Sequence, residues 1–474
     1  MGIAMSAENN CYVAADAFMR YALCDALAVL NIPLVAQDSA EFALDCYLEA
    51  GWLHAVINFN NGKAFSLSEQ IRSNTELRRT VVKTAVKLLL KYTDAVIDRW
   101  GILRGVRPTK LAASLWKKYG LVGAAKSLAE DCLLDSQTSE LVLEVAQNEA
   151  NYLQQINLTA DAACLYIGVP FCPTRCSYCS FPSFPIPNDS IVQTYLNAVK
   201  SELQAVSDIV RQTGKIIVSL YVGGGTPVSL TPKYFSELLL SIREYFPTVV
   251  EFTVECGRPE LINLEVLAAV NRAAVSRLCI NPQSLNDSSL RRIGRAHSEA
   301  DVYSAFELTR QNFGGSINMD VIAGLSGEIC SDFENTLNKI SALQPENITV
   351  HSLALKRGAA MFANGSLTER KQVEQMLSYA YGICKQSGYV PYYLYRQKNS
   401  IGENVGYCLN DCQCLYNIMI IEEQHTIFGV GPAAATKMAF DKCLKSVYNP
   451  KDYQVYIDNI NKYIDKKYQL FEEK

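Results

Sequence analysis

The chain has 474 residues, of which 49% are apolar and 19% are charged, and its formal net charge is -4. This length predicts two or three domains with buried cores, and the composition excludes disorder as the main state. The small net charge gives no strong field that would attract nucleic acid, and no apolar run reaches the roughly 18 residues of a membrane span. Residues 1–6 lack the charged start and long apolar core of a signal peptide, so we expect a cytoplasmic protein.

Residues 1–158 are predicted to form an N-terminal domain, either mainly helical or of mixed α+β structure. Apolar residues recur at helix spacing over 66–92 and again over 139–153. Between these stretches, the basic segment 100–110 leads into another helix, because a proline such as Pro108 is suited to the first turn.

Residues 159–360 carry a different pattern, in which short β-rich runs alternate with helical stretches. Such alternation predicts parallel βα units with right-handed crossovers. Six units are too few to close a barrel of eight strands, so we predict an open (β/α)6 partial barrel in the α/β class, with its chemistry at the carboxyl ends of the strands. The predicted strands span residues 163–169, 216–222, 249–255, 276–282, 316–322 and 348–353.

Residues 361–474 are predicted to form a C-terminal domain of mixed α+β structure. Alternating tyrosines at 392–395 favour a strand, with stacking on a planar ligand as the alternative. A Gly-rich turn is predicted at 428–432, and the final segment is predicted to be a solvated helix. The cysteines of this domain at 408, 412 and 414 have poor spacing for a tetrahedral metal, so we expect free thiols there.

Three cysteines follow the first predicted barrel strand directly, in a C-x3-C-x2-C pattern. Such a loop can place three thiolates around one face of an iron–sulfur cubane, which normally takes four cysteines. The missing ligand would leave one iron open to a substrate, as the open position of a catalytic zinc site does. A zinc site or buried thiols are the alternatives, but zinc usually needs a fourth Cys or His nearby. We therefore predict that Cys172, Cys176 and Cys179 hold a [4Fe–4S] cluster.

Polar or glycine-rich residues also follow the other predicted strands. The triple glycine at 223–225, followed by Thr226, lets backbone approach a ligand closely, although a tight turn alone would also explain it. Glu255 ends the third strand. Asp320 lies within an apolar strand, where a carboxylate is costly unless it has a hydrogen-bonding partner.

These motifs resemble those of the radical S-adenosylmethionine (SAM) superfamily, and within it the oxygen-independent coproporphyrinogen III oxidases, especially their HemZ-like coproporphyrinogen dehydrogenase branch. The motifs that carry the resemblance are Y-x-x-x-P-F-C at 166–172, GGGTP at 223–227, V-E at 254–255, Q-S-L-N at 283–286, R-R-I-G-R-x-H at 291–297 and M-D-V-I-A-G-L at 319–325. The resemblance implies a radical SAM (β/α)6 partial TIM barrel, a [4Fe–4S] cluster and SAM. It also implies an electron donor such as flavodoxin or ferredoxin.

The resemblance further implies roles for individual residues. Tyr166 would lie beside the cluster and SAM, and Tyr178 would line the adenine side. The other SAM contacts would be those to the amino group (Gly224, Gly225 and Thr226), to the ribose and carboxylate (Glu255, Gln283, Arg295 and Asp320) and to adenine (the backbone of Ala354).

Three positions depart from the family pattern. Gly168 stands where the well-characterised oxidase branch has a histidine, two residues after the tyrosine. Phe181 stands where that branch has a further cysteine, and Ser326 replaces the proline of its G-L-P turn. The first two departures bear on proton delivery and on the binding of a second SAM, and so on the reaction itself.

The substrate that the resemblance implies is coproporphyrinogen III, whose propionates would be decarboxylated oxidatively to vinyls, giving protoporphyrinogen IX in haem biosynthesis. A haem chaperone on the same scaffold and a radical SAM methylase acting on a tetrapyrrole are the alternatives. Propionates require cations, and a solvated basic face is the other explanation for the cations of this chain. The candidates are Arg104, Arg107 and Lys110 in the N-terminal domain, with Lys356, Arg357, Arg396 and Lys398 near the barrel mouth.

Overall fold

A computed structural model of the protein describes residues 10–15, 17–71, 76–105, 107–354, 359, 368–397, 401–440 and 443–472. The chain divides into two compact units, Met1–Ala146 and Gln147–Lys474. Within the described ranges, no helix combines the length and apolar character that a bilayer span requires. The domain limits at 158 and 360 stay predictions.

The first unit contains a four-stranded sheet with the order β1-β2-β3-β4. Strands β2, β3 and β4 pair antiparallel, and β1 pairs parallel with β2. The strands are β1 (Cys11–Val13), β2 (Phe42–Glu49), β3 (Trp52–Phe59) and β4 (Ala64–Gln70), and the helices are α1 (Ala17–Val29), α2 (Leu77–Tyr92) and α3 (Pro108–Asp131). Helix α4 (Ser136–Gln155) begins in this unit and continues into the second.

The helix predicted over 66–92 is wrong in its first part, because residues 66–70 belong to β4. Side chains of β4 alternate between half-buried and exposed, which is the period of a strand. The buried Lys83 of α2 connects β4 and α3 to that helix, because it forms ion pairs with Glu69 of β4 and Asp131 of α3. The predicted helix start at Pro108 and the helix over 139–153 are confirmed.

The second unit is built on an eleven-stranded sheet, in which six consecutive strands lie side by side in chain order and pair parallel. The predicted partial barrel is therefore confirmed, and the predicted strand limits differ from the observed ones by at most two residues. The six strands are β5 (Ala162–Val169), β6 (Ile216–Gly224), β7 (Glu251–Glu255), β8 (Arg277–Gln283), β9 (Ser316–Ala323) and β10 (Asn347–Ser352).

Helices connect these parallel strands, and short polar side chains cap several of them. Asn188 accepts a hydrogen bond from the backbone of Ile191, and Ser298 forms a capping box with Asp301. Such caps satisfy backbone N–H groups that have no partner within the helix. The connecting helices are α5 (Asp189–Thr213), α6 (Pro232–Tyr245), α7 (Leu264–Arg272), α8 (Asp287–Arg292), α9 (Glu299–Asn312) and α10 (Cys330–Leu343).

Five further strands extend the sheet at both of its edges. Antiparallel β12 (Glu403–Cys408) and β11 (Val390–Arg396) follow β10, whereas β13 (Thr426–Val430) pairs parallel with β5 and is followed by β14 (Ala435–Phe440) and β15 (Cys443–Tyr448). The strand predicted from the tyrosines at 392–395 is confirmed. The turn predicted at 428–432 is wrong in its first part, which belongs to β13. The remaining helices are α11 (Arg370–Gln386), α12 (Leu415–Glu422), α13 (Tyr453–Asp458) and α14 (Ile460–Glu472).

A buried carboxylate joins the end of the chain to the barrel. Glu202 of α5 accepts hydrogen bonds from the backbone of Gly431 at 2.7 Å, from Asn449 at 2.8 Å and from the Tyr456 hydroxyl at 2.6 Å. The ammonium group of Lys467 on α14 pairs with the same carboxylate, and both side chains are almost fully buried. One face of the last helix is therefore packed, whereas the sequence predicted a solvated helix.

We expect Lys467→Met to lower the free energy of unfolding by about 3 kcal/mol, because it leaves Glu202 buried without its cation. Chemical denaturation of the wild type and the variant measures this loss. Lys466→Met on the same helix is the matched control, since Lys466 is exposed. Equal losses in the two variants would contradict the assignment of Lys467 as a buried partner.

Candidate functional site

A cavity of about 620 Å³ lies at the carboxyl ends of the parallel strands and extends into the barrel interior. All thirteen residues that the sequence assigned to the cluster and to SAM line this cavity. They are Tyr166, Cys172, Cys176, Tyr178, Cys179, Gly224, Gly225, Thr226, Glu255, Gln283, Arg295, Asp320 and Ala354. The structure therefore brings together, at one edge of the sheet, side chains that are almost 190 residues apart in the sequence.

The cysteine loop, residues 170–187, follows β5 and is closed at its base by two backbone hydrogen bonds. Cys172 N donates to Phe184 O and Phe184 N donates to Pro170 O, both at 2.9 Å. On the other side, Ser177 N donates to Ile293 O at 3.0 Å. These bonds hold the loop in a fixed shape, with Cys176 buried and the other two cysteines half-buried in the cavity wall.

The donor set of this loop fits an iron–sulfur cubane. In the described part of the chain, no three His, Cys, Asp or Glu side chains converge on a single ion position. A cubane does not require such convergence, because each cysteine binds a different iron atom. The loop contains three cysteines and no His, Asp or Glu, which is the thiolate-only chemistry that iron–sulfur clusters take.

The glycine-rich loop after β6 packs directly against the cysteine loop. Gly225 N donates to Val169 O at 2.6 Å, and Thr226 N donates to Phe171 O at 2.7 Å. A Cβ atom at Gly225 would lie 2.5 Å from Phe171 O and 3.1 Å from Cys172 Sγ. The third glycine of the sequence motif is therefore required by a close approach between the two loops.

Glu255 has an unusually high pKa for a carboxyl group. It ends β7, and its Oε1 accepts a hydrogen bond from the Tyr221 hydroxyl at 2.5 Å. Burial raises the pKa of Glu255 to about 7, and Asp320 adds to the rise, whereas Tyr221 and His351 oppose it. This carboxyl can therefore gain or lose a proton near neutral pH, which is a common property of functional groups in cavities.

Asp320 has the polar partners that a carboxylate within an apolar strand needs. Asn318 donates to its Oδ1 at 2.7 Å, and His351 Nε2 lies 3.6 Å from its Oδ2. Burial opposes ionisation of Asp320, but the hydrogen bonds from His351 and Asn318 hold its pKa below the ordinary value. Burial lowers the pKa of His351, but the neighbouring Asp320 and Asn404 outweigh that effect and raise it above the ordinary value.

Arg295 connects three parts of the cavity wall. Its Nη1 donates to Gly257 O at 2.7 Å and to Asn281 O at 2.9 Å, and its Nη2 lies 3.1 Å from the Tyr178 hydroxyl. Among the described residues, Gln283 Oε1 and Asn281 Oδ1 are buried without a hydrogen-bond partner. Such atoms are available to a polar ligand, so the wall of the cavity fits a cofactor with amino, hydroxyl and carboxylate groups.

Several cavity residues escaped the sequence analysis. Tyr166 stacks with Tyr221 and Tyr416, with ring centroids 6.2 and 6.0 Å away, and Asn404 of β12 lies 3.3 Å from His351 Nδ1. Tyr221 lies two residues before the glycine motif, so the strand period could have placed it on the cavity face. Tyr416 and Asn404 gave no such signal, because they come from elements outside the six βα units.

The predicted substrate cations that the structure describes are not among the residues that line the cavity. Arg104 is exposed and Arg107 half-buried in the first unit, and Arg396 ends β11 outside the residues that line the cavity. Lys110 is half-buried on α3 of the first unit, and the other candidates, Lys356, Arg357 and Lys398, lie outside the described residues. A cation that does line the cavity is Lys437 of β14, whose Nζ lies 3.0 Å from Glu423.

A partial barrel with a three-cysteine loop after its first strand and a glycine-rich loop after its second defines a radical SAM protein. The family model of the radical SAM superfamily matches residues 166–340. The chain is also 36% identical over 410 residues to the oxygen-independent coproporphyrinogen-III oxidase-like protein HemZ of Bacillus subtilis (strain 168), over 84% of this chain and 82% of that protein. The chain therefore belongs to the HemZ-like family of radical SAM proteins, whose superfamily uses a [4Fe–4S] cluster and SAM.

Two other comparisons extend this result. The chain is 31% identical over 194 residues to the heme chaperone HemW of Bacillus subtilis (strain 168), over 40% of this chain and 50% of that protein. The solved structure of coproporphyrinogen III oxidase HemN from Escherichia coli matches with a TM-score of 0.52 and 22% identity, over 66% of this chain and 73% of that one. This structural likeness confirms the fold.

We expect Gly225→Ala to lower the iron and sulfide content of the anaerobically reconstituted protein several-fold. The added Cβ atom would displace Phe171 and Cys172 and so distort the cysteine loop. Gly314→Ala is the matched control, because a Cβ atom there meets nothing within 4 Å. Full cluster content in Gly225→Ala would show that the contact between the two loops is not needed.

The raised pKa of Glu255 predicts a pH-dependent stability of the cluster-free chain. The unfolded chain releases the proton of this carboxyl near pH 4.5, whereas the folded chain keeps it to about pH 7. Stability therefore falls as pH rises through this range, by about 3 kcal/mol. Glu255→Gln removes that dependence, so we expect it to stabilise the chain relative to wild type at pH 8 but not at pH 4.

Denaturant titrations of both proteins at the two pH values measure this effect. Glu265→Gln is the control, since Glu265 is exposed on α7. Identical pH profiles for the wild type and Glu255→Gln would contradict the burial argument.

Proposed function

We propose that this protein is an oxygen-independent coproporphyrinogen III dehydrogenase. It would convert two propionates of coproporphyrinogen III to vinyl groups and so produce protoporphyrinogen IX in haem biosynthesis. The observation that carries the proposal is the convergence of all thirteen predicted cofactor residues on one cavity. The similarity to HemZ over most of both chains supports the choice of a tetrapyrrole as the substrate class.

In this proposal the cysteine loop holds the cluster through Cys172, Cys176 and Cys179, which leaves one iron for SAM. The remaining cavity residues hold SAM as the resemblance implies, with Tyr166 and Tyr178 beside it. Hydrogen-bonding contacts come from Gly224, Gly225, Thr226, Glu255, Gln283, Arg295, Asp320 and Ala354. When bound, the reduced cluster and SAM supply a 5′-deoxyadenosyl radical, the species that abstracts hydrogen from a substrate.

The protein itself contributes binding, orientation and exclusion of water. Asp320 and His351, whose side chains lie 3.6 Å apart, present a paired acid and base to the cavity. Glu255 is protonated below about pH 7, so its ability to accept hydrogen bonds from SAM increases with pH. The stacked rings of Tyr166 and Tyr416 form an apolar wall that keeps water from the radical.

The reaction at each propionate balances with one external electron acceptor. A C–H bond of the carbon next to the porphyrinogen ring would break, and its hydrogen atom would be taken by the radical that SAM supplies. The bond to the carboxylate then breaks, carbon dioxide leaves, and the vinyl double bond forms. One electron remains and passes to a one-electron acceptor, while a carrier such as flavodoxin or ferredoxin supplies the electron for each cleavage of SAM. Arg104, Arg107 and Arg396 stay candidates for propionate binding.

A haem chaperone is the second candidate, and a specific contact favours it. A Cβ atom at Gly168 would lie 2.6 Å from Pro432 O, so this chain has no room for the histidine that the oxidase branch carries there. Phe181, which replaces a further cysteine of that branch, is 61% exposed. Part of the chain is similar to a protein named as a heme chaperone. Under this alternative the cavity would bind haem instead of turning over a porphyrinogen.

An anaerobic assay separates these functions. We expect the reconstituted protein, given SAM, a reductant, an electron acceptor and coproporphyrinogen III, to yield a product that mass spectrometry identifies as lacking carbon dioxide and two hydrogens at each of two propionates. Cys176→Ala should abolish both SAM cleavage and product, because a cluster ligand is lost.

Other outcomes would each contradict the proposal. Cleavage of SAM with no vinyl product would exclude the dehydrogenase activity. Stoichiometric transfer of haem without porphyrinogen turnover would select the chaperone, and a methylated tetrapyrrole would indicate a methylase.

A further inference from the structure

Arg258 is a buried cation that the roles assigned above do not use. It follows β7 three residues after Glu255, is 2% exposed, and lines the cavity. Its Nη2 donates to Thr174 O at 2.8 Å and lies 3.0 Å from Thr174 Oγ1. The same nitrogen lies 3.3 Å from Cys176 Sγ. One guanidinium group therefore contacts both the backbone of the cysteine loop and one of its sulfurs.

A carboxylate of opposite charge lies beside the other nitrogen of this guanidinium. Glu260 Oε1 lies 3.8 Å from Arg258 Nη1, and Glu260 Oε2 lies 3.2 Å from His297 Nδ1. His297 Nε2 is in turn 3.2 Å from Pro282 O. Glu260 therefore lies between Arg258 and the buried His297, which ends the R-R-I-G-R-x-H motif.

The electrostatic effect of this arrangement on a cluster has a definite sign. Reduction adds one negative charge to the cluster, and hydrogen bonds to its sulfurs together with nearby charges set its reduction potential. Because Arg258 is buried, its charge acts with little screening by water. A cation that donates to Cys176 stabilises the reduced state, whereas the more distant carboxylate of Glu260 opposes that effect.

We propose that Arg258 is a positioning residue for the cysteine loop and raises the reduction potential of the cluster, and that Glu260 limits this rise. The inference rests on the cluster assignment made above but not on the identity of the substrate. It gives a function to Arg258 and Glu260, which the sequence analysis left without one.

The test is a redox titration of the reconstituted holoprotein, followed by electron paramagnetic resonance of the reduced cluster. Arg258→Gln is expected to lower the ratio of reduced to oxidised cluster about tenfold at a fixed potential, a shift of about 59 mV to more negative values for a one-electron couple. Glu260→Gln is expected to shift the midpoint in the opposite direction. Damage to the fold alone would not produce shifts of opposite sign.

Two further variants make the result decisive. Arg258→Lys keeps the charge but not the forked geometry, so its midpoint should lie between those of the wild type and Arg258→Gln. Arg272→Gln, which removes an exposed guanidinium bonded to Ser236, is the control and should leave the midpoint unchanged. If Arg258→Gln retains too little cluster to titrate, the midpoints of Glu260→Gln and Arg258→Lys test the proposed effect of Arg258 instead.

Unchanged midpoints in Arg258→Gln and Glu260→Gln at full cluster content would overturn the inference, as would shifts of the same sign. Failure of the proposed dehydrogenase activity is a separate outcome, because these measurements require no tetrapyrrole. Opposite shifts in a protein without porphyrinogen turnover would uphold the role of Arg258 and exclude only the dehydrogenase.

Discussion

The candidate site depends on one contact, in which the backbone of the glycine-rich loop lies against the cysteine loop. Strands β5 and β6 are parallel neighbours, so the loops that follow them leave the sheet at the same edge. The hydrogen bonds from Gly225 and Thr226 to Val169 and Phe171 then take the place of secondary structure within the cysteine loop. Since a side chain at 225 would collide with Phe171, the position of all three thiolates depends on the absence of a Cβ atom in the neighbouring loop.

The charged groups of the cavity differ in how strongly the protein itself determines their protonation state. Asp320 has the imidazole of His351 and the amide of Asn318 beside it, and both hold its pKa low against the effect of burial. Glu255 accepts a hydrogen bond from the Tyr221 phenol, and burial dominates its pKa. A ligand with a hydroxyl or ammonium group next to Glu255 would therefore change its protonation, whereas the same ligand would leave Asp320 unchanged. Of the two carboxylates, Glu255 is the one that can couple binding to proton uptake or release.

The sequence predicted the six barrel strands and picked out thirteen residues that line one cavity, because each feature lies in a local pattern, either a short apolar run or the motif that follows it. It did not predict β13, since the pairing of this strand with β5 joins segments more than 260 residues apart and leaves no periodic signal at 428–430. Strand β4 was missed because apolar residues at 66–92 match a helix period better than a strand period. Arg258 was missed for a similar reason, as its partners in the cysteine loop are 82 and 84 residues away.

The most informative departure from the family pattern is Gly168, and it follows from the addition of strand β13 to the sheet. Pairing of β13 with β5 brings the chain after Val430 back across the end of β5, where Gly431 and Gly168 approach so closely that a Cβ atom on either would meet the backbone of the other segment. Glu202 secures this crossing by accepting a hydrogen bond from Gly431 N. A histidine at position 168 is therefore incompatible with the closure of the sheet at this edge. Residue 168 therefore cannot supply the proton-transferring histidine of the oxidase branch, and the titratable side chains that line the cavity beside Asp320 include Glu255 and His351.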